Sequence, residues 1–319
     1  MRAYIIRRLL LIIPTLILVS AVVFITVRLI PGDVIEQMAI QMGQTTQGEQ
    51  IDFDKIREML GMDEPWHIQY GKWMWGALRG DLGNSLFTGA PVTEGILDRI
   101  PITFELGFLA FIIAQLMAVP IGIYSAIRQD SWGDFLGRSF AIIMLSIPGF
   151  WLGTMVMVFP SIWWNWTPPM SYIAFTDDPL GNLQMFIIPA LLMGMAMSAT
   201  TMRMLRTTML DVLRQDYVRT AWAKGLRERV VVVRHVFRNA LIPVITMMAG
   251  QVPVMIGGAV IMEQIFNIPG MGRFFLDAIN RRDYPIVTGI NLILAGFGML
   301  LILLVDLSYA RLDPRIRYK

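Results

Sequence analysis

Apolar residues in this chain are gathered into long uncharged blocks, with the charges crowded between them. Six intervals contain no Asp, Glu, Lys or Arg: Leu9 to Val27, Leu106 to Ile127, Ser139 to Phe159, Pro179 to Met202, Asn239 to Met262 and Tyr284 to Val305. Crossing a bilayer as a helix takes about 20 mostly apolar residues, and each interval reaches that length. In lipid, any conformation but a helix or closed barrel leaves backbone N–H and C=O groups unpaired, so six spanning helices are predicted. The first block follows Arg2, Arg7 and Arg8, as a signal peptide would. Its apolar run outlasts a typical signal and lacks a small-x-small cleavage site, so it reads as a retained span.

Charge between the blocks orients them. Arg2, Arg7 and Arg8, the stretch Arg203 to Arg238, and the tail with Arg311, Arg315, Arg317 and Lys319 are basic. The segment Pro31 to Ile100 carries Asp33, Glu36, Glu49, Asp52, Asp54, Asp63, Glu64 and Asp81 with fewer bases, and Asp177 and Asp178 sit in a connection without Lys or Arg. The positive-inside rule then puts both termini and the stretch 203–238 in the cytoplasm, with Pro31 to Ile100 outside.

Two connections are too long for simple turns. In the external one, Phe53 to Leu60 is a candidate short helix, and Trp66, Tyr70, Trp73 and Trp75 suit an interfacial aromatic belt. It reads equally as a small ordered cap or as a surface for an external partner. In the internal one, Asp211 to Gly225 forms a short amphipathic helix closed by glycine. Ala221, Ala223 and Gly225 would let another protein approach the backbone, and Arg219, Lys224 and Arg227 would engage its carboxylates. A solvated positive-inside loop is the plain alternative. The division expected is 1–100, the first span with its external segment, and 101–319, a five-helix core with the cytoplasmic loop at about 203–238.

Composition agrees with this reading: 55% of the 319 residues are hydrophobic, 16% are charged, and the mean hydropathy is +0.57. A net charge of +3 is too small to suggest nucleic acid, and with no cysteine there is no disulfide or thiolate metal site. Only His67 and His235 are present, without an HExxH pattern, and neither G-x-S-x-G nor a phosphate-binding G-x-x-x-x-G-K-[ST] occurs. No catalytic or metal site is expected. The middles of all six blocks lack ionisable residues, whereas an ion-coupled carrier needs them at membrane depth. The polar groups inside are Gln115, Ser198, Thr201, Gln251 and Asn291, able either to line a solute path or to bond between helices. Energy must then come from another chain; an ion-coupled carrier and an intramembrane hydrolase are the disfavoured rivals.

More specific residues follow. The run Asp216-Tyr217-Val218-Arg219-Thr220-Ala221-Trp222-Ala223-Lys224-Gly225, with Asn239 and Pro243 beyond it, resembles the coupling loop of ABC importer permeases. Its Arg-Thr-Ala-x-Ala-Lys-Gly form is similar to that of the dipeptide/oligopeptide (peptide/nickel) family, first membrane subunit. Further matches along the chain are Pro31-Gly32-Asp33, Gln69-Tyr70, Gly80-Asp81-Leu82-Gly83 with Ser85, Ser146-Ile147-Pro148, Pro269-Gly270-Met271-Gly272, Asp283-Tyr284-Pro285 and Leu312-Asp313-Pro314-Arg315. The resemblance implies a type I importer permease fold, all-α and with six spans. It implies peptide transport by alternating access, with nickel chelates, glutathione or oligosaccharides as other cargoes. It also implies partners in a bacterial or archaeal plasma membrane: a second permease subunit, two ATPases holding ATP and Mg, and an external solute-binding protein. The helix at Arg219 to Gly225 would dock in the ATPase, and Pro243 would turn the chain back into the membrane. No cofactor is expected on this chain.

Overall fold

A computed structural model describes residues 2–29, 62–169 and 171–312. The candidate helix Phe53 to Leu60, Pro31-Gly32-Asp33 and most of Leu312-Asp313-Pro314-Arg315 lie outside those residues. Among the described residues there is no strand, only one isolated bridge between Asn84 and Pro91. Five helices are long and apolar enough to cross a membrane, or six if one bent pair counts as a single span.

One compact unit falls within Met1–Pro101 and Arg273–Leu303. It contains α1 (Arg2–Leu29), α2 (Trp66–Ala77) and α3 (Val92–Leu97), then most of α11 (Met271–Arg281) and of α12 (Tyr284–Leu312). α2 is held on α1 by the Gln69-Tyr70 pair. The Arg28 guanidinium donates to Gln69 Oε1 at 2.9 Å, and the Tyr70 hydroxyl lies 2.9 Å from Ser20 Oγ. Tyr70 and Trp73 pack on Phe24, while Trp66 and Trp75 stay exposed, so the four aromatics do not share one role.

The other unit falls within Ile102–Gly272. It holds α4 (Ile100–Ile127), α5 (Trp132–Ser146), α6 (Gly149–Trp164), α7 (Pro179–Leu213), α8 (Asp216–Ala223), α9 (Glu228–Val230), a π-helical turn over Val231–Phe237, and α10 (Arg238–Ile265). α4 presents Gly107, Ala110, Ala114, Ala118 and Gly122 on one buried face. Such small residues let helices approach where no hydrophobic effect drives them together. A Cβ at Gly194 of α7 would come within 2.9 Å of the Ala110 carbonyl oxygen, so only glycine permits that approach.

The third block departs from expectation. Instead of one helix across Ser139 to Phe159, α5 and α6 meet at a 92° bend. Pro148 lacks an N–H and drives the residue before it out of helical conformation; Ile147 is extended, with φ −87° and ψ 123°.

The cytoplasmic helix also begins later than predicted. α7 runs on through Asp211 to Leu213, and a new helix starts at Asp216 after an extended Gln215. At about 100° per residue, Val218 would point some 180° away from Met209 in an unbroken helix. Both are fully buried in one cluster, and only a break can aim them there together. Pro243 is likewise not at a helix start: the chain turns at an extended Arg227, and Pro243 lies well inside α10.

Candidate functional site

α8 joins α7 to the return toward α10, and its two faces differ. Val218 and Ala221, three residues apart, are buried against Leu205, Met209, Val231, Val236, Ala240 and Val244. Tyr217, Arg219, Thr220, Trp222, Ala223 and Lys224 are exposed. Ala221 therefore anchors the helix inward, and the small outward positions are Ala223 and Gly225.

Two devices fix the helix ends. At the C-terminus, Gly225 N–H donates to the Trp222 carbonyl at 2.9 Å and Leu226 N–H to the Ala221 carbonyl at 3.4 Å. This paired 5→2 and 6→1 arrangement is a Schellman motif, and it needs a left-handed residue; Gly225 has φ +73°. At the N-terminal side, Asn239 Nδ2 donates to Tyr217 Oη at 3.2 Å and to the His235 carbonyl at 2.7 Å, tying α8 to the root of α10. Thr220 Oγ1 donates to the Asp216 carbonyl, and Arg219 lies 3.6 Å from Asp216, an exposed pair that contributes little. The result is a short rigid helix whose displacement would be passed to α7 and α10 together.

Of the polar groups inside the spans, Ser198 Oγ donates to the Met195 carbonyl and Asn291 Nδ2 to the Val287 carbonyl, each within its own helix. Thr201 and Gln251 meet each other at 3.4 Å, linking α7 to α10. Gln115 differs, because both amide atoms are buried without a hydrogen-bond partner.

Three arrangements escaped the sequence reading. Asp134, fully buried on α5, takes a two-pronged bond from Arg206 of α7, Nε to Oδ1 and Nη2 to Oδ2 at 2.8 Å each. Nothing in the spacing marks residues 72 apart as partners. Glu263, one residue beyond the fifth uncharged block, is fully buried and accepts from Thr103 Oγ1. Ser85 donates to Asp283, joining two of the short matches noted above. Burial pushes the Asp283 carboxyl above its usual range, against the opposing pull of the Ser85 hydroxyl and backbone N–H groups. Among the described residues there is no cluster of three or more metal-ligating side chains.

Comparison with known proteins is consistent along the chain. Residues 118–318 match the model of the binding-protein-dependent transport system inner membrane component, and residues 1–107 match the model of its N-terminal part. The dipeptide transport system permease protein DppB of Escherichia coli K12 is 38% identical, covering 100% of both chains. The glutathione transport system permease protein GsiC of Salmonella paratyphi A is 37% identical over 99% of both. A crystal structure of an amino acid ABC transporter with histidines shares the fold, with a TM-score of 0.54 at 14% identity over 69% of this chain and 94% of that one. The chain is thus a multi-pass component of the bacterial inner membrane, and it belongs to the family of binding-protein-dependent transport system inner membrane components.

Proposed function

We propose that this chain is a membrane subunit of an ATP-driven peptide importer, and that α8 is where movement of the ATPases enters it. The observation that carries the coupling role is the division of α8: Val218 and Ala221 lock it into the chain's own core, while an aromatic and basic face stays open. Asp216, Tyr217, Arg219, Thr220, Ala223, Lys224 and Gly225 form or flank the docking face, with Asn239 at the root of α10 behind it and Pro243 about one turn further along that helix. The partners are a second permease subunit, two ATPases that hold ATP and Mg, and an external solute-binding protein. Closure of the ATPases would move α8, and with it α7 and α10, so that a path opens to one side at a time. Gln115, with its free amide, is the strongest path-lining candidate; Ser198, Thr201, Gln251 and Asn291 serve mainly to tie helices. In this reading residues 1–100 are the first span with its external segment, and 101–319 the five-helix permease core with the cytoplasmic coupling loop.

The cargo reading rests on a relative named for dipeptide transport; a relative named for glutathione transport supports that alternative cargo. Mass spectrometry of what the associated binding protein retains on purification tests it; a retained nickel chelate, glutathione or oligosaccharide would overturn it.

Gly225→Asp set against Gly225→Asn tests coupling. A Cβ at Gly225 meets no heavy atom within 4 Å, so only the left-handed backbone resists substitution. Asp and Asn tolerate that conformation better than other residues do, and they differ in charge alone. In the reconstituted importer, Asn is expected to keep transport near normal. Asp is expected to leave insertion intact and to separate ATP hydrolysis from uptake, because its charge would be buried under the docked ATPase. Equal transport in both variants would refute the docking assignment.

A further inference from the structure

The unit that holds α3 and most of α11 has a partly open cavity of about 400 Å³, within the size range of sites for small organic ligands. Its walls are the loop after Ser85, α3, α11 and the start of α12. The positive-inside assignment puts this region on the external face. Asp283 lines the cavity, but its carboxylate is already engaged: it accepts from Ser85 Oγ and from Leu86 N–H, which holds the loop wall in place. The charges left to meet a ligand are Arg99, Arg281 and Asp277.

Arg99 is built for the task. Its guanidinium lies over the Phe274 ring, 4.1 Å from the centroid, and Nη1 donates to the Gly95 carbonyl at 2.7 Å. One of its five N–H donors is thereby committed and the fork is immobilised, which favours two-pronged binding of a carboxylate. Arg281 makes no ion pair among the described residues and adds a second positive group. Among the described residues Asp277 has one ion pair, with Arg273 at 4.0 Å, and it supplies the negative one. Phe87 and Phe274 provide apolar wall. A simple anion would be opposed by Asp277 and a simple cation by the two guanidinium groups, so a molecule carrying both charges fits better than either.

We infer that this cavity binds a zwitterionic peptide, with its α-carboxylate on Arg99 and Arg281, its ammonium toward Asp277, and an apolar side chain against Phe87 or Phe274. The inference deepens the peptide-import reading and rests on it. The test uses the complete importer in lipid nanodiscs, without its binding protein, and the probe L-alanyl-L-phenylalanine beside its C-terminal amide. The free dipeptide is expected to bind saturably, and the amide about tenfold to hundredfold more weakly, as loss of charge-assisted hydrogen bonds would produce. Arg99→Ala should erase the difference between the two probes. Since that variant also loses its packing on Phe274, Arg281→Ala at an exposed position serves as the second: it should weaken the dipeptide several-fold and the amide hardly at all. Asp277→Asn should weaken the dipeptide more than its N-acetyl form.

Absence of saturable binding, or binding indifferent to all three substitutions, overturns the inference. So does weakened association of the binding protein with unchanged dipeptide affinity, which would make the cavity a docking surface. Uptake by the wild-type importer with its binding protein separates the two readings. If dipeptide is taken up but the cavity variants do nothing, only this inference fails; if no peptide is taken up at all, the cargo reading fails with it.

Discussion

Removing Arg206 should be among the most damaging single changes in the described core. In Arg206→Met the Asp134 carboxylate, wholly buried, loses both of its 2.8 Å bonds from α7. What stays is the Asp130 N–H at 3.0 Å and Arg138 Nε at 3.5 Å. Leaving one partner of a buried ion pair behind costs about 3–5 kcal/mol. The two surviving contacts put this case near 3 kcal/mol, roughly a 150-fold fall in the folded-to-unfolded ratio. Removing both charges together is a different matter: Asp130 N–H and Arg138 lose an acceptor, but both are exposed enough to turn to water, no buried charge is stranded, and apolar replacements of similar volume are often neutral. The double variant Asp134→Leu with Arg206→Met should therefore recover most of the loss. Equilibrium unfolding in lipid, followed by tryptophan fluorescence, reads all three proteins. If Arg206→Met matches the wild type, or the double variant is as unstable as the single, then the pair does not join α5 to α7 as argued.

Other substitutions probe other joints. Gly272→Ala would bring a Cβ to 2.6 Å from the Val260 backbone, and overpacking of that kind costs about 1–3 kcal/mol, seen as a lowered unfolding midpoint. Tyr217→Phe removes the acceptor for Asn239, which keeps its bond to His235; stability should change by less than about 1 kcal/mol while ATP consumed per solute rises. Ser85→Ala removes the acceptor of the Phe87 and Thr88 N–H groups and should speed their amide exchange, while Leu86 N–H keeps Asp283. Because Asp283 is held above its usual range, its contribution favours the fold at acid pH and is lost as pH rises through the raised value. Losing the Ser85 hydroxyl, which opposes that shift, should extend the stabilised window upward, and the extension is measurable as exchange against pH.

The spans were legible because lipid leaves the backbone one economical solution, and a block of about 20 uncharged residues announces it. The α8 region was legible for a different reason: a dense run of specific residues from Asp216 to Gly225, ended by a glycine in the left-handed role that helix ends favour. Reading failed where direction mattered. The run Asp211 to Gly225 reads as one amphipathic helix, yet Val218 has to face the same cluster as Met209, and the break at Gln215 is what turns it. Pro243 suggested a helix start, but prolines inside α4, α7 and α10 show how readily spans carry them.

What the chain's order of residues decided alone was the number of apolar blocks, the sign of the charges between them and the character of the cytoplasmic helix. These depend on local composition, which folding does not alter. Which charges are neutralised, as in Arg206 with Asp134, and which short matches touch, as in Ser85 with Asp283, was decided only in three dimensions. Partners 72 or 198 positions apart leave no periodic trace; they meet because helix packing brings them within a few ångströms, where a buried charge must find its complement.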